Sequence, residues 1–108
     1  MRIVLIKAAR TGFTLSRKII HLCEQAGIKN LHGLQGDTSV GTLASAQLCA
    51  GFKNTSFHYP SDLSFFLLLT DDFLEKPIQI KEGCLELTDD PGLGIVIDDK
   101  KFERFKIG

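Results

Sequence analysis

Lys7 ends the apolar run "IVLI" at residues 3–6, a cation placed where a strand is expected to stop. Catalytic groups collect at the carboxyl ends of strands in α/β sheets, so Lys7 is a candidate acid/base; the plainer reading is a side chain reaching for water. Asp37, Thr38 and Ser39 stand together after a second short β-rich stretch. Such residues accept from the free N–H groups of a helix start, and the same helix end would also favour an anion. Ser61 and Asp62 form a similar pair ahead of "FFLLL". His32 and His58 fall near strand ends, a conceivable metal pair with no third ligand, while His21 falls within a helix. The acid pairs Asp71–Asp72, Asp89–Asp90 and Asp98–Asp99 lack the alternating ligand spacing of a calcium loop and read as turn and cap residues.

These residues need elements to hold them. "RIVLI" at 2–6 is apolar enough to be a strand covered on both faces. "TLSRKIIHLCEQA" at 14–26 reads as a helix with Leu15, Ile19, Leu22, Cys23 and Ala26 on its buried stripe, Thr14 as N-cap and Gly27 as C-cap. "KNLHGLQ" at 29–35 is a second strand, and the stretch from Val40 to Leu48 a second helix closed by Gly51. "TSFHY" at 55–59 and "SDLSFFLLL" at 61–69 predict a third strand and a short third helix capped by Ser61 or Asp62. The order β-α-β-α-β-α argues parallel strands with right-handed crossovers. Beyond residue 70, "PIQI", "CLEL" and "GIVID" predict a β-rich tail with turns at "KEG" and "DDPG", where Gly92 needs a positive φ. Phe102, Phe105 and Ile107 are expected to anchor its end.

The 108 residues carry 13 basic and 13 acidic side chains. A balanced charge gives no electrostatic case for nucleic acid or an anionic membrane and weakens the repulsion that opposes self-association. The longest apolar run, "FFLLL", is too short to cross a bilayer. No charged stretch followed by a long apolar one marks a signal peptide. Cys23, Cys49 and Cys84 are odd in number and have no zinc-ligand spacing, which predicts small buried side chains in a reducing, cytoplasmic compartment.

Three stretches together carry a family likeness. "IKAARTGFTLSRKIIHLCEQAGI" resembles the sixth strand and helix of the barrel in the muconate lactonizing subgroup of the enolase superfamily, and "HGLQGDTSVGTLASAQLCAG" the seventh. "LTDDFLEKPIQIKEGCLELTDDPGLGIVID" is similar to the segment by which the chain returns to that family's capping domain, Pro-Gly-Leu-Gly at 91–94 being its most specific part. The resemblance implies the last three β/α units of a TIM-type (β/α)8 barrel over residues 1–70, and a C-terminal β-rich tail over 71–108. It implies that Lys7 is a general acid/base facing a carbon acid, whose enolate a magnesium ion stabilises. Gly12-Phe13 stands where the family has Gly-Gly, and Asp37 where many members carry a glutamate.

The three carboxylates that hold magnesium in the family, and the second lysine of its K-x-K motif, belong to earlier strands. A barrel needs ~250 residues, so 108 cannot close one. Two function classes therefore stand. One is a part of a racemase, epimerase or cycloisomerase, with Lys7 as acid/base, Asp37 and Asp62 as substrate contacts, and no metal bound by the chain alone. The other is a non-catalytic α/β module that self-associates through open strand edges. The expected partner is a second copy or a complementing barrel half.

Overall fold

The computed structural model describes residues 2–108. β1 (Ile3–Ile6) leads directly into α1 (Ala8–Gln25), β2 (Lys29–His32) into α2 (Ser39–Ala50). The two strands pair in parallel with Ile3 beside Lys29 and Ile6 beside His32, as a β-α-β crossover requires. Ile6, Ile20 and Leu48 form the centre of the core, with Val4, Ala8, Ile19 and Phe52 packed around them.

α1 contains a break. Gly12 takes φ 67° and ψ 175°, so residues 8–11 make one turn and the long helix begins after it. Thr14 lies inside the helix and is not its cap. The buried face is Ser16, Ile20 and Cys23, while Leu15 and Leu22 point to solvent. This corrects the expected stripe by about one residue. Ser16 can be buried because Thr11 Oγ1 lies 2.6 Å from its hydroxyl.

The third β/α unit is reduced. Only Thr55 bridges to Asn30, with the Ser56 N–H donating to the Asn30 carbonyl at 2.8 Å, where a strand over 55–59 was expected. Beyond Ser56 the chain leaves the sheet, Phe57 stands almost fully in solvent, and Pro60 has no N–H to continue a ladder. The expected helix over 61–69 is one 3-10 turn, Phe65–Leu68, with neither Ser61 nor Asp62 as its cap. The Ser61 hydroxyl instead accepts from the His32 N–H at 3.2 Å.

In the tail, β3 (Ile80–Lys81) and β4 (Cys84–Leu85) form a tight antiparallel hairpin. Glu82 and Gly83 both have positive φ, the geometry of a two-residue turn matched to strand twist. Leu74 bridges Ile97 antiparallel. Gly92 has the expected positive φ, though the hydrogen bond that closes the turn runs from the Gly94 N–H to the Pro91 carbonyl. The chain then forms α3 (Asp99–Phe105), a helix that the alternation of the tail did not announce. Asp98 Oδ1 caps it by accepting from the Lys101 N–H at 3.0 Å. Phe102 and Phe105 meet Phe73 edge to face at 5.6 and 6.1 Å between centroids, whereas Ile107 is fully exposed and anchors nothing. Cys23 is buried, Cys49 half-buried and Cys84 exposed, so only the first behaves as expected.

Candidate functional site

Lys7 is the residue at which β1 becomes α1. It is still extended (φ −128°, ψ 99°), and its carbonyl accepts from the N–H groups of Arg10 at 2.9 Å and Thr11 at 3.3 Å and from Thr11 Oγ1 at 3.2 Å. Strand alternation decides which face it occupies. Ile6 points to the helices and is buried; Leu5 points the other way and is 54% exposed. Lys7 continues the Leu5 side, the face that no helix among the described residues covers, and is itself half-buried.

The neighbouring strand ends are stitched to it. The Gly33 N–H donates to the Ile6 carbonyl at 2.9 Å. A Cβ at Gly33 would press on the Leu5 side chain at 3.2 Å, so a glycine keeps the two strand ends close. The loop after β2 turns at Gly36 (φ 77°) and brings Asp37 to the start of α2. Asp37 Oδ2 accepts from the Gln35 N–H at 3.1 Å, and its Cβ lies where a Cβ on Gly41 would meet it at 2.9 Å.

Asp37 and Thr38 do not cap α2. Thr38 is at the N-cap position with no capping bond from its side chain. Asp72, from 33 residues further on, accepts from the Ser39 N–H at 2.8 Å through Oδ2. The local pattern at Asp71–Asp72 is that of a turn, and no local signal marks Asp72 as the partner of a helix 33 residues earlier. Its neighbour Asp71 is held below the usual carboxylate range by the Asp72 N–H first, with Arg104 and Lys101 adding to the effect. Arg104 pairs with it at 2.7 Å and ties α3 to this corner.

Asp62 is exposed and located by its backbone, whose N–H donates to the His32 carbonyl at 2.9 Å; its Oδ1 accepts from Ser64 Oγ at 3.4 Å. Lys7, Asp37 and Asp62 therefore share the carboxyl end of the sheet. Among the described residues no hydrogen bond or ion pair joins the side chain of any one to another. His32 and His58 do not form a site together. His32 is buried on the helix side against Asn30, and His58 lies exposed in the loop that leaves the sheet. Among the described residues no group of three or more His, Cys, Asp or Glu side chains could hold a metal ion. A cleft of about 450 Å³ opens in the tail between Pro77, Lys81, Glu86 and Val96, away from the strand ends that carry Lys7. A second, of about 410 Å³, lies between α2 and the hairpin at Cys49, Ser61 and Leu85. No helix among the described residues is long and apolar enough to cross a membrane.

Residues 1–101 match the family described as enolase C-terminal domain-like. The sequence is 33% identical over 94 residues to muconate cycloisomerase 1-1 of Acinetobacter lwoffii, covering 87% of this chain and 24% of that protein. It is 33% identical over 104 residues to the chloromuconate cycloisomerase of Cupriavidus pinatubonensis, covering 95% and 27%. Among solved structures, muconate lactonizing enzyme of Mycobacterium smegmatis complexed with muconolactone superposes with a TM-score of 0.89 at 39% identity, over 96% of this chain and 28% of that one. The L-Ala-D/L-Glu epimerase of Bacillus subtilis does so with a TM-score of 0.78 at 25% identity, over 87% and 26%. The chain spans about a quarter of the length of the curated relatives it matches.

Proposed function

The chain belongs to the enolase C-terminal domain-like family, and from that premise we propose that it carries the Lys7 end of an isomerase active site acting on carbon acids. The observation that carries this reading is the position of Lys7: last extended residue of β1, directly before α1, on the face of the sheet that the helices leave open. In this reading β1–α1, β2–α2 and the reduced third unit are the last three β/α units of a (β/α)8 barrel. The uncovered face is then its interior, where such folds place catalytic groups at the strands' carboxyl ends. Lys7 moves a proton to or from the substrate carbon, a step for which a positioned side chain contributes roughly 10²–10⁴-fold. Asp37 and Asp62 contact the substrate from neighbouring loops. The similarity to muconate cycloisomerases favours racemisation, epimerisation or cycloisomerisation as the reaction class.

Magnesium, which the family likeness implies, has no ligand set among the described residues. The reading therefore requires the remaining strands, continuous with this sequence or on another chain, and the 108 residues alone are inactive. The partner is a complementing barrel half or a second copy, with no nucleic acid or membrane. The three unbridged cysteines suit a reducing, cytoplasmic setting.

The test is complementation. The chain is mixed with the portion of the Pseudomonas putida muconate lactonizing enzyme that precedes the matched region, and loss of muconate is followed with magnesium present. We expect no turnover by the chain alone, turnover by the mixture, and its loss with Lys7→Ala. Turnover by the chain alone, an inactive mixture, or activity that survives Lys7→Ala overturns the reading.

A further inference from the structure

The layer between β2 and α2 is polar where a sheet–helix interface is ordinarily apolar. Asn30, His32, Thr42 and Ser56 are all buried, and Asn30 Nδ2, His32 Nδ1, Thr42 Oγ1 and Ser56 Oγ have no hydrogen-bond partner. The His32 ring makes one bond, Nε2 to Asn30 Oδ1 at 3.1 Å. With the Asn30 amide oxygen facing the ring, the proton is assigned to Nε2 and Nδ1 is left bare. A bare lone pair is tolerable there. A second proton would place a charged N–H in a buried layer with no acceptor within hydrogen-bond distance of it, which is far more costly.

The same two residues fasten the chain from 54 to 62. The His32 N–H donates to Ser61 Oγ at 3.2 Å, and its carbonyl accepts from the Asp62 N–H at 2.9 Å. Asn30, the partner of the ring, donates its N–H to the Asn54 carbonyl at 3.1 Å and accepts the Ser56 N–H at 2.8 Å. Thr55 Oγ1 also reaches Asn30 Oδ1, at 3.3 Å.

We propose that His32 is an acid-operated latch: its neutral ring, buried against Asn30, keeps β2 in the position from which the backbones of Asn30 and His32 hold residues 54–62, and its protonation releases that segment, and Asp62 with it, from the carboxyl end of the sheet. Among the described residues no charged side chain is hydrogen-bonded or ion-paired to the His32 ring. On β1 the residue in register is Ile6. The titratable group of α1 in the core is the buried Cys23. On α2 it is Cys49, whose Sγ lies 3.8 Å from Ser61 Oγ. Asp62 is exposed and meets His32 through backbone alone; Asp37 and Asp72 are engaged with the N–H groups of Gln35 and Ser39. Burial is what pulls the imidazole from 6.5 down to about 4. Because the folded value lies below the unfolded one, the contribution of the neutral ring is complete above pH 6.5 and is lost as pH falls towards 4.

The experiment is NMR on the full chain from about pH 7 to about pH 3.5. It follows the His32 ring resonance and the exchange protection of the Asp62 and Ser56 amides, with Gly33, bonded to β1, as reference. We expect the ring to titrate near 4, and the two amides to lose protection as pH falls from 6.5 to 4, by about tenfold per pH unit for a one-proton step, and to level off below 4. Gly33 should lose less. His32→Gln, which cannot titrate, should remove the dependence between 6.5 and 4. A ring that titrates at its ordinary value, amide protection that does not fall between pH 6.5 and 4, or the same loss in folded His32→Gln overturns the latch. If His32→Gln does not fold, the wild-type chain decides, by whether the loss of amide protection levels off at the pH where the ring titrates.

Discussion

A single carbon added at Gly94 tests the path of the tail most directly. Gly94 has φ 65°, and a Cβ there would overlap Thr88 Oγ1. Gly92 has φ 69° but open space around it. Gly92→Ala should therefore cost about 1–2 kcal/mol, the penalty of the left-handed region alone, while Gly94→Ala adds a clash to that penalty. Thr88→Ala in the Gly94→Ala background should recover the stability lost to the clash and leave the conformational penalty, which a double-mutant cycle on urea midpoints separates. Equal losses at the two glycines would show that the Thr88 contact is not formed. Single positions differ in how plainly the sequence announces them. Lys7 was legible, because an apolar strand that ends in a lysine before a helix is a local pattern. The turn at Pro91-Gly92 was legible for the same reason. The demand on Gly94 was not, since Thr88 approaches it only after the tail folds back. His32 was seen at a strand end, but its burial depends on which face of β2 the helices cover.

Elements behave likewise: what is local could be read, and what another element supplies could not. The two β-α units follow from apolar runs, periodicity and terminal glycines. α1 was phased by its bulkiest residues, yet the face that packs is set by Ile20 against Ile6 and Leu48, with a small hydroxyl, Ser16, allowing close approach. The third strand and helix were over-read, because β-rich "TSFHY" and apolar "FFLLL" have the right composition but too few partners in this chain. α2 gives the clearest test. Its first N–H, that of Ser39, is served by Asp72 and not by the Thr38 that composition suggested. Asp72→Ala should lower stability by about 1 kcal/mol, within the usual range for a lost N-cap, and Thr38→Ala by less. The comparison is made by chemical denaturation at neutral pH. A larger loss at Thr38 than at Asp72 would return the cap to the local residue.

At the scale of the molecule the sheet is covered on one side only. The helices cover the face that bears Ile6, whereas Leu5 on the opposite face is more than half exposed, and Leu67 and Leu68 of the 3-10 turn also project into solvent. β1 pairs with β2 on one side and with no other strand among the described residues. An open edge is a template for another strand, and bare apolar surface gains roughly 25 cal/mol for each Å² removed from water. With no net charge to oppose it, the chain should not remain single. We expect sedimentation at micromolar concentration to give a mass above the 11.9 kDa of one chain. Leu5→Glu should shift the distribution towards the single chain with little loss of folded structure, because the side chain it replaces is outside the core centred on Ile6, Ile20 and Leu48. Leu48→Glu should instead unfold the chain, as a carboxylate there would be buried without a partner. If Leu5→Glu sediments as the parent does, the face around Leu5 is not the surface that associates. If the parent is a stable 11.9 kDa particle, the open face needs no cover. The complementing barrel half would then lose its physical motive, because the apolar surface it was invoked to cover would be stable in water.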